Sequence, residues 1–199
     1  MLLSNNTWRR DDQMRQTVFE PAWLDELAEH RGTLTPAQLA EVTAGFVFRP
    51  DLWRPLVVVD RDRRRYELLY EDERVDIWVL SWMPGQRTGF HDHDRSGVGL
   101  VCAQGELIEG SLAIGADPES TSMTEGIVRG GPGGYIHAVA HQRGEPAVSI
   151  HAYSPPLIQV GQYRVDEQGR LQREPEPGRK ELQDATILAD STRVTTTRD

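Results

Sequence analysis

Residues 84–105 read PGQRTGFHDHDRSGVGLVCAQG, and this stretch decides the fold. His91 and His93 stand two residues apart, a spacing that places both imidazoles on one face of a β-strand. A second block, residues 126–137, reads GIVRGGPGGYIH and ends at His137. Short apolar runs separated by glycine and proline continue on both sides of these blocks and predict an all-β barrel or sandwich.

The composition bounds the class of protein. The chain has 199 residues, of which 38% are hydrophobic and 27% charged, with a formal net charge of -9. This acidic balance argues against a nucleic-acid partner, and no apolar stretch approaches the roughly 20 residues of a membrane span. The single cysteine, Cys102, excludes an internal disulfide and fits a reducing compartment. Because the first residues lack the apolar core of a signal peptide, we expect a cytoplasmic protein.

Changes in pattern divide the chain into three predicted segments. They are a helical segment at 1–50, a β-barrel at 51–165, and a charged strap or partly disordered tail at 166–199. In the first segment, Ala22–His30 predicts one short helix, and Thr35 followed by Pro36 predicts the start of a second helix that continues to Ala44. The predicted strands are 66–70, 75–82, 97–103, 105–113, 134–139, 147–153 and 157–164.

The two histidine blocks resemble the two-part pattern of the cupin superfamily at their glycine, proline and histidine positions. The resemblance implies a small, jelly-roll-like β-barrel with a metal held by His91, His93 and His137. Val98 stands where most cupins carry a metal-binding glutamate, so three neutral imidazoles would remain. Such a donor set suits iron(II), zinc, copper or nickel better than magnesium or calcium. His141 is the rival third ligand, and we assign it to a supporting or structural role.

A later segment, residues 145–157 (EPAVSIHAYSPPL), resembles the cysteine dioxygenase family, which also has the His-Asp-His form of the first ligand pair. Members of that family bind Fe(II) and add dioxygen to a small thiol, which gives a sulfinate. The resemblance implies that Ser149, His151 and Tyr153 form a hydrogen-bonded relay beside the metal. Their i, i+2, i+4 spacing places all three on one face of a strand. We expect a monomer or a small homo-oligomer.

Two departures from the family concern the substrate side of the site. Animal members carry a cysteine at the position of Val98 that crosslinks to the tyrosine, and Cys102 lies four residues further on, so we expect Tyr153 to be uncrosslinked. The arginine that clamps the carboxylate of cysteine in the family aligns with Leu68. An apolar side chain cannot clamp a carboxylate, which leaves the identity of the thiol open between cysteine and a 3-mercapto acid. The alternatives are a substitute clamp from Arg65, Arg87 or Arg164, or a substrate without a carboxylate at this position.

Two other functions remain open at this point. The protein could be a different three-histidine cupin oxygenase or lyase, and Leu68 keeps this alternative alive. It could also be a non-catalytic cupin that binds a metal or a small ligand, although that function gives Ser149, His151 and Tyr153 no purpose.

Overall fold

The computed structural model describes residues 32–168 and 170–178. The predicted helix at Ala22–His30 lies outside these residues. Helix α1 (Pro36–Val47) begins as expected, because the Thr35 hydroxyl accepts a hydrogen bond from the Gln38 backbone amide and the Gln38 side-chain oxygen accepts one from the Thr35 backbone amide, a capping box. Helix α2 (Pro50–Trp53) and a 3₁₀ turn (Arg54–Leu56) follow. No helix in this part of the chain is long and apolar enough to cross a bilayer.

The rest of the described chain is an antiparallel β-structure, as predicted. Its strands are β1 (Arg65–Glu71), β2 (Asp76–Trp82), β3 (His91–Asp92), β4 (Gly97–Gln104), β5 (Glu106–Ser111), β6 (Glu119–Thr124), β7 (Val128–Gly131), β8 (His137–Ala140), β9 (Ala147–Ser154), β10 (Gln159–Val165) and β11 (Leu171–Pro177). They form a five-stranded sheet in the order β1-β2-β9-β4-β7 and a six-stranded sheet in the order β11-β10-β3-β8-β5-β6. Two packed sheets with short N-terminal helices confirm the predicted cupin class of fold.

The five-stranded sheet packs against apolar clusters on both faces, which explains why β2, β4 and β9 are buried along nearly their whole length. Its outer face packs against α1 through an outer cluster that includes Leu39, Phe46 and Ile150. The helix comes so close that a Cβ atom at Gly99 would collide with the backbone of Leu39. The inner face lies against the six-stranded sheet and forms an inner cluster that includes Trp82. The candidate site lies between the two sheets.

Three strands of the structure were not predicted from the sequence. Strand β6 is mostly exposed and polar, and β7 has the sequence VRGG, so neither shows an apolar alternation. Strand β11 contains two prolines and lies inside the segment predicted as a strap or tail. It pairs with β10 along its whole length and forms the edge of the six-stranded sheet, where proline is tolerated. The division of the chain at 50 and 165 remains a prediction.

Candidate metal centre and active site

Three imidazoles meet between the sheets. His91 begins β3, His93 follows the end of that strand, and His137 begins β8 directly opposite His91. One ligand atom from each ring lies within 4.8 Å of those of the other two, and all three residues are buried. The alternation of side chains along β3 explains this geometry, because His91 and His93 face the interior while Asp92 faces the opposite side.

The nitrogens of these rings fit a metal ion. The Nδ1 atom of His91 lies 3.0 Å from the carbonyl oxygen of Gly89, and Nδ1 of His137 lies 2.9 Å from a carboxylate oxygen of Glu109. Both acceptors favour a proton on Nδ1, which leaves Nε2 as the electron-pair donor. The Nε2 atoms of His93 and His137 are buried and have no hydrogen-bond partner among the described residues. Since buried polar atoms are nearly always satisfied, a metal ion at this position would account for both.

The protonation state of His93 suits a ligand. Burial lowers its pKa well below the ordinary value, and the neighbouring His91, His137 and His151 lower it further. A neutral imidazole is the form that binds metals. His141 takes no part in the cluster, because its two ring nitrogens face the carbonyl oxygens of Glu106 and Glu145 at 2.8 and 3.0 Å.

Strand β9 carries a hydrogen-bonded row beside the histidines. Ser149 Oγ lies 2.9 Å from His151 Nε2, and His151 Nδ1 lies 3.1 Å from the hydroxyl oxygen of Tyr153. The ring centroids of Tyr153 and His93 are 4.7 Å apart, so the row ends next to the three-histidine cluster. Burial lowers the pKa of His151 well below its ordinary value, with smaller contributions from His137 and Arg64. This imidazole is therefore neutral and can both accept and donate a hydrogen bond.

The comparisons with known proteins give the family of this chain. The sequence profile described as "Cysteine dioxygenase type I" matches residues 30–166, which is more than half of the chain. The chain belongs to this family. It is 31% identical to cysteine dioxygenase type 1 of Homo sapiens over 54% of this chain and 59% of that protein, and 30% identical to the Bos taurus protein over 60% and 65%. These alignments thus span less than two thirds of either relative.

Two solved structures are among those similar to this family member. A cupin superfamily protein from Desulfitobacterium hafniense has a TM-score of 0.45 at 16% identity and covers 52% of this chain and 87% of its own. A protein with a double-stranded β-helix domain from Klebsiella pneumoniae has a TM-score of 0.46 at 18% identity, with 51% and 80% covered.

In this cysteine dioxygenase family member, the strand register separates the cysteine from the tyrosine. Val98 on β4 lies opposite Tyr153 on β9, whereas Cys102 lies opposite Ser149. The Cys102 sulfur is instead close to the carbonyl oxygens of Gln104 and Gly105. Burial raises the pKa of this thiol to about 11.

The structure places the three candidate arginines away from the buried cluster. Arg65 is 3.6 Å from Asp60 with a side chain 37% exposed, and Arg164 is 3.6 Å from Glu174 with a side chain 66% exposed. Arg87 is exposed in the segment before β3. Their assignment as substrate ligands receives no support from this geometry. Leu68 is half-buried and packs against the inner cluster.

Arg64 is a charged residue that the sequence analysis missed. It is 2% exposed, and its guanidinium carbon lies 4.7 Å from the centre of the Trp82 ring. Tyr66 and Leu68 of β1 pack on the inner cluster. Arg64, directly before β1, continues their alternation on the inner side, whereas Arg65 begins the strand on the outer side. The two-residue spacing from Arg64 to Tyr66 and Leu68 was the signal that could have found it. The sequence alone did not determine whether these residues face the inside or the outside of the barrel.

Proposed function

We propose that this chain is an iron(II)-dependent thiol dioxygenase that converts a small thiol to its sulfinate. The observation that carries the proposal is the adjacency of two groups: the three convergent imidazoles, and the Ser149–His151–Tyr153 row that ends 4.7 Å from the His93 ring, centroid to centroid. Membership in the cysteine dioxygenase type I family supports the same chemistry. The expected reaction joins one thiol and one dioxygen, and both oxygen atoms end on the sulfur.

His91, His93 and His137 would hold the iron. Three neutral imidazoles suit Fe(II), and because Val98 supplies no fourth ligand, coordination positions stay open. When bound, the iron would supply a Lewis-acidic centre for the thiolate and the redox partner for dioxygen. Tyr153 would donate a hydrogen bond to the reacting groups, and His151 and Ser149 would orient its hydroxyl.

The charges inside the barrel support a proposal for the class of substrate. We propose a small thiol that carries a carboxylate, of the cysteine or 3-mercapto acid type, with Arg64 as the cation that attracts it. The support is that Arg64 is buried, directly precedes β1 in the alternation that turns Leu68 inward, and contributes its charge to the lowered pKa of His151. Leu68 would then contact the carbon chain of the substrate. We further propose a cytoplasmic monomer or small homo-oligomer whose partners are the thiol and dioxygen.

The test is oxygen consumption by protein loaded anaerobically with Fe(II). Cysteine, 3-mercaptopropionate and cysteamine are supplied in turn, and the sulfinate product is identified by mass spectrometry. We expect stoichiometric dioxygen uptake with at least one acidic thiol, and its loss in His137→Ala. Glu106→Gln, an exposed change on β5, serves as the control and should keep full activity. Rapid turnover by His137→Ala would refute the proposal.

Leu68 favours a second candidate, a three-histidine oxygenase or lyase with another substrate, because it removes the family's carboxylate clamp from its usual place. Bound metal in the purified protein, together with no oxygen uptake from any thiol, would support this candidate instead.

A further inference from the structure

Glu109 is a buried carboxylate inside the barrel that the proposed chemistry does not use. It lies on β5, opposite Val139 of β8, and is 4% exposed. His137 pairs with Ser111, the next residue of β5 on the same face, so Glu109 and His137 are diagonal neighbours across the two strands. This placement brings a carboxylate to Nδ1 of His137, the ring nitrogen that does not point toward the proposed metal position.

Three donors surround this carboxylate. His137 Nδ1 lies 2.9 Å from Oε1, the Tyr135 hydroxyl donates to the same oxygen at 3.3 Å, and Arg129 Nε lies 3.5 Å from Oε2. A buried charge is retained only where such partners compensate its lost hydration. Glu109 is therefore held in place from several sides, and His137 is the partner at the shortest distance.

The contact determines which nitrogen of His137 carries the proton. A carboxylate oxygen accepts, so the proton resides on Nδ1 and the electron pair on Nε2 points toward the other two histidines. His91 gains the same tautomer from the main-chain carbonyl of Gly89. A mutation cannot remove the main-chain carbonyl that contacts His91. It can remove the Glu109 side chain, and so test the contact to Nδ1 of His137.

We propose that Glu109 is a positioning residue that fixes the tautomer and orientation of His137 and strengthens it as a metal ligand. This proposal rests on the metal-binding part of the proposed function. Most cupins place a carboxylate on the metal at the position where this chain has Val98. Glu109 supplies a negative charge that contacts the ligand His137 and not the metal itself. The charge then acts through His137 without occupying a coordination position that substrate and dioxygen need.

The experiment measures Zn²⁺ affinity of the metal-free protein by competition with a chromophoric chelator, without thiol. Glu109→Ala should weaken binding by about 10- to 100-fold, the usual effect of losing a carboxylate behind a histidine ligand. Glu109→Gln should bind with intermediate affinity, because its amide oxygen still accepts from Nδ1 but the charge is gone. The matched control is Glu106→Gln on the same strand, whose side chain is exposed and accepts from Ser122; it should bind as the unchanged protein does.

A second measurement guards against misfolding of the alanine variant. Nitrogen-15 spectra of the metal-free, unchanged protein, with the His137 signal assigned from its loss in His137→Ala, should show a proton on Nδ1. Wild-type Zn²⁺ affinity in folded Glu109→Ala, or a proton on Nε2 of His137, would overturn the proposal. Because neither measurement involves thiol oxidation, failure of the dioxygenase assay would leave this result intact.

Discussion

The indole nitrogen of Trp82 donates a hydrogen bond to the hydroxyl oxygen of Ser149 at 2.8 Å. An indole N–H can only donate, so the Ser149 oxygen accepts there and its own proton is available for His151 Nε2. We predict that neutral His151 then carries its proton on Nδ1 and donates to the Tyr153 oxygen. In this arrangement Trp82 favours one direction of the row, with the Tyr153 O–H as the donor on the side of the histidine cluster.

Replacing Trp82 with phenylalanine should lower kcat of the iron-loaded protein by about 10-fold, roughly the worth of one buried hydrogen bond. Tyr153→Phe removes the terminal donor itself and should cost about 100-fold or more. Steady-state oxygen uptake with the best thiol measures both, and thermal melting verifies that each variant is folded. Equal kcat in Trp82→Phe and the unchanged protein would show that the indole does not set the direction of the row.

The neighbouring arginines Arg64 and Arg65 give a matched pair of variants. Arg64→Met should raise KM for acidic thiols by about 10- to 100-fold, because a charge-assisted hydrogen bond to a carboxylate is lost. Arg65→Met should change KM little, since Arg65 faces Asp60 on the outside. Cysteamine, which has no carboxylate, should not distinguish Arg64→Met from the unchanged protein. A KM increase of the same size for cysteamine would show that Arg64 supports the fold and does not bind the acid group.

The thiol of Cys102 should be inert in the native protein. Its pKa is raised from 9.0 to about 11 by burial, so at pH 8 only about one thiol in a thousand is the reactive thiolate. Alkylation by iodoacetamide should be slow in buffer and rapid in denaturant, as followed by mass spectrometry. The same spectra should give the intact mass of an uncrosslinked chain, since Val98 and not Cys102 is opposite Tyr153. Fast native alkylation would contradict the buried position.

Arg173 on β11 should stabilise the segment that carries His91 and His93. It forms two hydrogen bonds of 2.7 Å to the Asp92 carboxylate, which is 4% exposed and also accepts from Tyr163. Arg173→Met should lower the free energy of unfolding by about 1–3 kcal/mol, because a nearly buried carboxylate loses its cation. The control, Arg164→Met, breaks an exposed pair on the adjacent strand and should cost less than about 1 kcal/mol. Urea denaturation compares the two variants, and equal losses would refute a special role for Arg173.

Much of the site was predictable because it depends on alternation along single strands. The spacing of His91 and His93, and of Ser149, His151 and Tyr153, places each set on one face whatever the neighbouring strands do. Arg64 was missed for the complementary reason, since a one-residue change of register reverses its face and only the packing of Tyr66 and Leu68 decides it. Glu109 was missed because its partner, 28 residues away, is adjacent only after β5 and β8 pair.

The fold shows the same division between local and distant information. Strands such as β4 and β9 could be predicted from the sequence because their runs of mostly apolar residues match their burial on both faces. Strand β11, with the sequence LQREPEP, carries no such pattern and is defined by its pairing with β10.

The contact between Asp92 and Arg173 also determines where a fragment of this chain can be cut without losing support for the histidine pair. The family profile stops at residue 166, and every histidine of the cluster lies before that point. A recombinant fragment cut at this boundary would keep all the proposed ligands yet lose the arginine that anchors the middle residue of the His-Asp-His triplet. Chain boundaries for expression, or for grafting this barrel onto another protein, should therefore extend at least through Pro177.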